Sequence, residues 1–411
     1  MKHKVQCGWD ASSFGMRPPR RLWRTGLVAI AGLVVAACGS GSTQSGTTSG
    51  CGQVTIGFLG WANPGGATSG TSGGTLDPGD NLAAKMAIDD INSAGGVCGK
   101  PVKYVYVPFD ETDLQGEQSE FLEMVAKQPT IIVGMVSPDL ATLEREVDAA
   151  GIPILVDNIE HVVDGVVGDS QWFFGWRPPE TVGTVAQVEF AVQTLGAQKV
   201  ALFQTSDEFG AQFHTVAAAE LQQLGIPIVT NQSFPDTATD LTAAVLASKS
   251  ASITINGGYP AQIAAELTQD QQYGIKMTVV DGLSAMTGIA YGLIPLPLVG
   301  NLYGAIPCTT WPPPAAWTTR FEQASGTTIK QFFYPETYDM VRFAAAAITQ
   351  ANTTDPTKIL SAVETLKYTS GVCSSLYQSD AQHFMNANTS TVSFSPATGA
   401  ATIVKTYTAN S

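Results

Sequence analysis

The chain has 411 residues and a formal net charge of −14. That length exceeds one ordinary domain, and the acidity argues against nucleic acid or an anionic lipid surface as a partner. Hydrophobic residues make up 44% and charged residues 14%, which excludes a disordered chain and predicts globular lobes.

The amino-terminal stretch reads as an export signal. Arg17, Arg20, Arg21 and Arg24 precede a short apolar run over 26–37, too short for a membrane span. Met16 opens a more typical signal than Met1. Val35-Ala36-Ala37 before Cys38 resembles a bacterial lipobox, in which Cys38 is lipidated and becomes the mature terminus; in a plain signal peptide Cys38 is incidental. Removing residues 1–37 takes away six Lys/Arg and one Asp, so −14 becomes −19. Four cysteines then remain outside Cys38, and an even number in an exported chain predicts disulfides with three possible pairings. Cys51 and Cys98 each precede one of the first two strands, at the same end of neighbouring parallel strands. They are therefore paired, leaving Cys308 with Cys373. The clustered Cys or His ligands that zinc prefers are missing.

Along the chain, 39–50 is a Gly/Ser/Thr tether. A strand over 54–58 leads into a long glycine-rich loop, 60–80, which carries Trp61 and is of a length that is usually functional. A helix (81–92), a strand (102–107) and a helix (115–127) follow. Residues 130–133 form a β-branched strand, 134–139 a polar turn, 140–150 a helix with Leu140, Leu143, Val147 and Ala150 at helical spacing, and 154–156 a strand ending in Asp157-Asn158. After a connection at 173–179, alternation resumes: strands at 200–203, 227–229, 253–255 and 277–280, with helices to about 195 and over 209–224, 241–248 and 260–272. A Pro-rich region spans 294–314. Helices at 314–323 and 338–351 follow, and 392–394 with 402–407 alternates like an antiparallel hairpin. Two runs of βαβ units predict an α/β chain with two doubly wound parallel-sheet lobes, which bind ligands at the carboxyl ends of their strands.

Particular residues carry a family resemblance. Ala87-Ile88-Asp89-Asp90-Ile91-Asn92 followed by Gly95-Gly96, then Gly134 to Ser137, Gly151-Ile152-Pro153-Ile154, Phe209-Gly210, Gly257-Gly258-Tyr259-Pro260 and Tyr273-Gly274-Ile275-Lys276 are similar to type I periplasmic solute-binding proteins. The branch is the one serving leucine/isoleucine/valine-type ABC importers, and the likeness covers 54–407. It implies a three-segment hinge near 176–178, 304–306 and 371–373. Lobe I would then comprise 51–175 and 307–371, and lobe II 176–306 and 372–411. It further implies closure on a small-molecule solute, docking on permease and ATPase subunits and an extracytoplasmic location; the lipid anchor to the membrane is expected from Cys38, and no enzymatic activity and no cofactor are expected because the sequence has no H-E-x-x-H, Walker loop or G-x-G-x-x-G. A sensor using the same fold for a signalling partner is the alternative.

The resemblance also implies a ligand set. Ser137, ahead of Pro138, matches the position that holds a ligand carboxylate; it equally suits a helix cap, and Asp139 would repel an anion there. Asp157 and Asn158 match further polar contacts or make a turn. Phe209 stands where the family has an aromatic wall, Tyr259 where it often has a cleft tyrosine, and Trp61 where selectivity is set; packing or turn roles are the alternatives. Members that bind aliphatic amino acids place a glutamate after the 277–280 strand to meet the ligand ammonium. Here Leu283 stands there, with Asp281 two residues earlier. A buried ammonium without an anion costs several kcal/mol, so either Asp281 substitutes or the ligand lacks a free amine. The string Gly70-Thr71-Ser72-Gly73-Gly74 fits G-x-S-x-G but lies within a glycine-rich loop rather than on an elbow. His161 lines the cleft or sits on a surface loop.

Overall fold

A computed structural model describes residues 51–61, 78–109, 114–134, 140–156, 170–369, 371–374 and 376–408. The first sheet contains β1 (Thr55–Trp61), β2 (Lys103–Phe109), β3 (Ile131–Gly134), β4 (Ile154–Val156) and β5 (Phe173–Gly175), in the order β2-β1-β3-β4-β5. All its pairings are parallel. Alternate residues point to opposite faces, so each strand feeds two cores. Leu59, Ile132 and Ile154 pack with Phe121, Leu143 and Val147 from α2 (Leu114–Ala126) and α3 (Leu140–Ala150). Phe58, Val133 and Leu155 pack on the other face with Ala87 and Ile88 from α1 (Pro78–Ser93).

The chain then crosses to α4 (Glu180–Glu189) and a second sheet. There β6 (Val200–Thr205), β7 (Ile228–Phe234), β8 (Ile253–Gly257), β9 (Thr278–Asp281) and β10 (Leu302–Ile306) are parallel. They are interleaved with α5 (Glu208–Gln223), α6 (Thr242–Ala247), α7 (Pro260–Gln272) and α8 (Ser284–Ala290). From Ile306 the chain returns to the first lobe as α9 (Ala315–Ser325), α10 (Phe333–Ala351) and α11 (Pro356–Thr365), which place Trp317, Phe343, Ile348 and Val363 in the same core as Phe58. It crosses back to end as β11 (Asn388–Phe394) and β12 (Ala401–Thr408), antiparallel at one edge of the order β12-β11-β10-β9-β8-β6-β7. The molecule thus has two α/β lobes and three connections. No helix among the described residues is long and apolar enough to cross a membrane.

The connections are built as one polar and aromatic joint. Arg177 Nε donates to Glu336 Oε2 at 3.1 Å, with both side chains buried. The guanidinium lies 4.9 and 4.8 Å from the Phe332 and Phe333 rings. Trp176 stacks on Tyr377 at 4.1 Å. Asp339, fully buried, accepts from the N–H groups of Val372 and Cys373 and from the Tyr377 hydroxyl. Burial pushes its carboxyl up to about 7 against those hydrogen bonds. The Pro307 carbonyl accepts from Ser374 Oγ at 3.0 Å and Asn386 Nδ2 at 2.9 Å. Cys51 is joined to Cys98 and Cys308 to Cys373, the pairs expected from the sequence.

Several elements differ from the sequence reading. The Pro-rich region contains β10, a full interior strand; the apolar Leu302, Ala305 and Ile306 are buried on it, but prolines on both sides mask the run. The 173–179 connection contains β5, and α8 and α11 are additional helices. The third connection is not a single passage at 371–373. Cys373 sits in a second-lobe core, yet Tyr377 and Met385 are buried in the first-lobe core, and Phe384 pairs beside Gly175 at the end of β5.

Candidate functional site

Two strands that leave for the other lobe set the location. Both β5 and β10 run out at their carboxyl ends into the joint, so both parallel sheets turn their carboxyl edges towards it. Open α/β sheets bind ligands at that edge.

The first-lobe edge is formed by the ends of β1, β3 and β4. Gly134 closes β3 with φ +143, and a Cβ there would meet the Leu59 carbonyl oxygen at 2.0 Å, so only glycine lets the chain turn off the sheet so close to β1. Trp61 is the last residue of β1, its backbone paired with Phe109; its side chain lies outside the described residues. So do Ser137, Asp139, Asp157, Asn158 and His161, and the amino-terminal Cys38.

The second-lobe edge is described apart from the Glu208 side chain. Asp207 caps α5, its Oδ1 accepting from the Gly210 N–H at 2.9 Å and from Thr205 Oγ1 at 2.7 Å. Its other oxygen, Oδ2, accepts from the Tyr259 hydroxyl at 2.9 Å. The Phe209 and Tyr259 rings stack at 5.6 Å and 28°. The carboxyl ends of β6 and β8 thus meet through one carboxylate and two aromatics, and the structure brings Phe209 and Tyr259 together. The Phe-Gly motif has a steric reason: a Cβ on Gly210 would meet the Thr205 carbonyl oxygen at 2.0 Å, so glycine lets the first turn of α5 sit on the strand end. Asp207 was missed from the sequence, although an Asp two residues before an apolar helical stripe is a capping signal.

Asp281 occupies a different environment. It is 2% exposed and accepts the Ala285 N–H at the start of α8. Burial pushes its carboxyl up to about 8, opposed by the Ala285 and Gly282 N–H groups, with the Glu180 charge adding to the rise. The residues above it, Gly282 and Leu283, line a small cavity of about 20 Å³ with Glu180, Gln187 and Arg177, room for about one water. Gln187 is buried, and its Oε1 has no hydrogen-bond partner among the described residues. Burial raises the Glu180 carboxyl, and the Arg177 guanidinium opposes the rise. Among the described residues no group of three or more His, Cys, Asp or Glu side chains is placed to hold a metal ion.

A family model described as periplasmic binding protein matches residues 54–399. A sequence comparison with curated proteins gives no match. Among solved structures, a branched-chain amino acid ABC transporter periplasmic ligand-binding protein from Burkholderia xenovorans superposes with a TM-score of 0.73 at 18% identity, covering 87% of this chain and 96% of its own. A branched-chain amino acid transporter substrate-binding protein from Streptococcus pneumoniae, in complex with isoleucine, gives 0.68 at 18% identity, with 87% and 99% covered. A leucine-binding protein from Thermotoga maritima gives 0.66 at 16% identity, with 86% and 99% covered. At these identities the likeness is one of fold.

Proposed function

Because the chain belongs to the periplasmic binding protein family, we propose that it is the lipid-anchored receptor of an ABC importer, capturing a small polar solute as its two lobes close. The observation that carries this reading is the half-site at the carboxyl edge of the second sheet: Asp207, Phe209 and Tyr259 locked together beside a three-connection joint. Solute touching both edges stabilises the closed state, and that state docks on permease and ATPase subunits. Trp61, Ser137, Asp157 and Asn158 are the contacts expected from the first lobe. Asp281 acts from beneath, by holding the start of α8. Cys38 carries the lipid.

The solute is an amino acid, an amide or a small organic acid. Leu283 in place of an acidic residue favours a solute without a free amine. Asp207 is a half-buried carboxylate of this edge, held against Tyr259, and is the group proposed to meet a solute that does carry an ammonium. The test is a thermal-shift screen of the mature protein over these three classes, since binding to the folded state raises its apparent stability. A shift with a polar solute that disappears in Tyr259→Ala is expected. No shift in any class, or an unchanged shift in Tyr259→Ala and Phe209→Ala, would refute the assignment.

A further inference from the structure

A second cavity, of about 570 Å³, lies away from the strand ends just described. Its walls come from α8, from the loop after it, from the turn between β11 and β12, from the connection that follows β10, and from the segment joining α9 to α10. Both lobes therefore contribute: Ile329 packs against the first-lobe core, and Trp311 and Leu296 against a second-lobe core. The volume falls in the range of about 300–1,000 Å³ typical of small-molecule sites.

The lining has a definite chemistry. Met286, Ile289, Leu296, Trp311 and Ile329 make it apolar, and Lys330 is its single charged residue. In a chain with an excess of acid, none of the residues lining this cavity is acidic. Lys330 is exposed, and exposed lysines keep their ammonium in water while the stem can lie on apolar surface; Thr328 and Thr398 are the other polar side chains of the lining. An anionic head group would complement Lys330, which a neutral or cationic one would not.

We propose that this cavity is a second ligand site, separate from the solute cleft, for an amphipathic anion: an acyl chain against the apolar wall and a carboxylate at Lys330. The probe is decanoate below its micelle concentration, titrated by calorimetry into the mature protein and into folded variants. Decanoate is expected to bind the wild type. Lys330→Glu should weaken binding by about tenfold or more, as expected for reversing the charge that faces an anion. Ala290→Trp, which puts an indole into the cavity from α8, should abolish binding. Decyltrimethylammonium should not bind, and Asp207→Ala should bind decanoate like the wild type. Absence of decanoate binding, equal binding of the cationic amphiphile, or loss in Asp207→Ala with retention in Lys330→Glu would each overturn the proposal. Should Ala290→Trp fail to fold, the exposed Lys330→Glu substitution decides alone. The cleft reading stands or falls separately, on the solute screen with Tyr259→Ala.

Discussion

Replacing Glu336 by Gln tests the joint between the lobes at its centre. The Arg177–Glu336 pair has side-chain exposures of 9% and 1% and an N–O distance of 3.1 Å, so bulk water is kept from the lost carboxylate's place and the small cavity beside Arg177 has room for about one molecule. Removing one partner of a buried pair costs at most about 3–5 kcal/mol, and the Glu180 carboxyl, which also feels the Arg177 charge, lessens the loss. At roughly 2 °C per kcal/mol for a chain of this size, the midpoint of thermal unfolding should fall by up to about 6–10 °C. The adjacent Phe332 and Phe333 rings offset part of this, since cation–π contacts are worth about 0.5–2 kcal/mol and survive the substitution. Differential scanning calorimetry at ionic strengths of about 0.1 and 1 M checks both size and origin: a buried pair is barely screened, so the loss should be the same at both. Arg177→Met with Glu336→Leu removes both charges and should recover most of the stability. A loss of under about 2 °C in Glu336→Gln, or a double variant as unstable as the single one, would refute the argument.

Three further expectations concern the second lobe, the solute edge and the first disulfide. Burial pushes Glu266 and Asp281 up to about 8 and Asp270 up to about 7, with the Asp270 charge adding to the rise at Glu266. A carboxyl raised on folding contributes stability that is fully present below its ordinary range and lost as pH rises through the folded value. The melting temperature should therefore fall between pH 6 and 8.5, and Glu266→Gln should flatten that slope; a flat or rising wild-type profile contradicts it. Asp207→Ala removes the cap of α5, costing about 1 kcal/mol, and takes away the acceptor that holds the Tyr259 hydroxyl. A two-wavelength melt should show the small stability loss while the solute-induced shift disappears; a retained shift would remove Asp207 from the site. Replacing Cys51 and Cys98 by Ser opens a bridge with a sequence separation of 47, worth about 4 kcal/mol in loop entropy. Urea unfolding of the first lobe should move accordingly, and an unchanged midpoint would place the bridge's effect elsewhere.

The elements built from short-range pattern were legible in the sequence. The run Ile131-Ile132-Val133, the stripe of Leu143 and Val147, and the glycines after them mark strand, helix and turn wherever the chain folds, because periodicity and φ preference act within a few residues. The first disulfide was legible for the same reason, since Cys51 and Cys98 stand beside consecutive parallel strands. What needed the tertiary structure lies between residues far apart in the chain. Arg177 reads as an ordinary cation before two prolines until Glu336, 159 positions away, is placed against it. The return of Tyr377 and Met385 to the first core, after Cys373 has entered the second, leaves no periodic trace. Asp281 and Asp207 look alike in sequence, each at the end of a strand. Only packing makes one a buried acceptor for the Ala285 N–H under α8 and leaves the other half-buried beside Tyr259, because desolvation is a property of everything around a carboxylate and not of its neighbours in the chain.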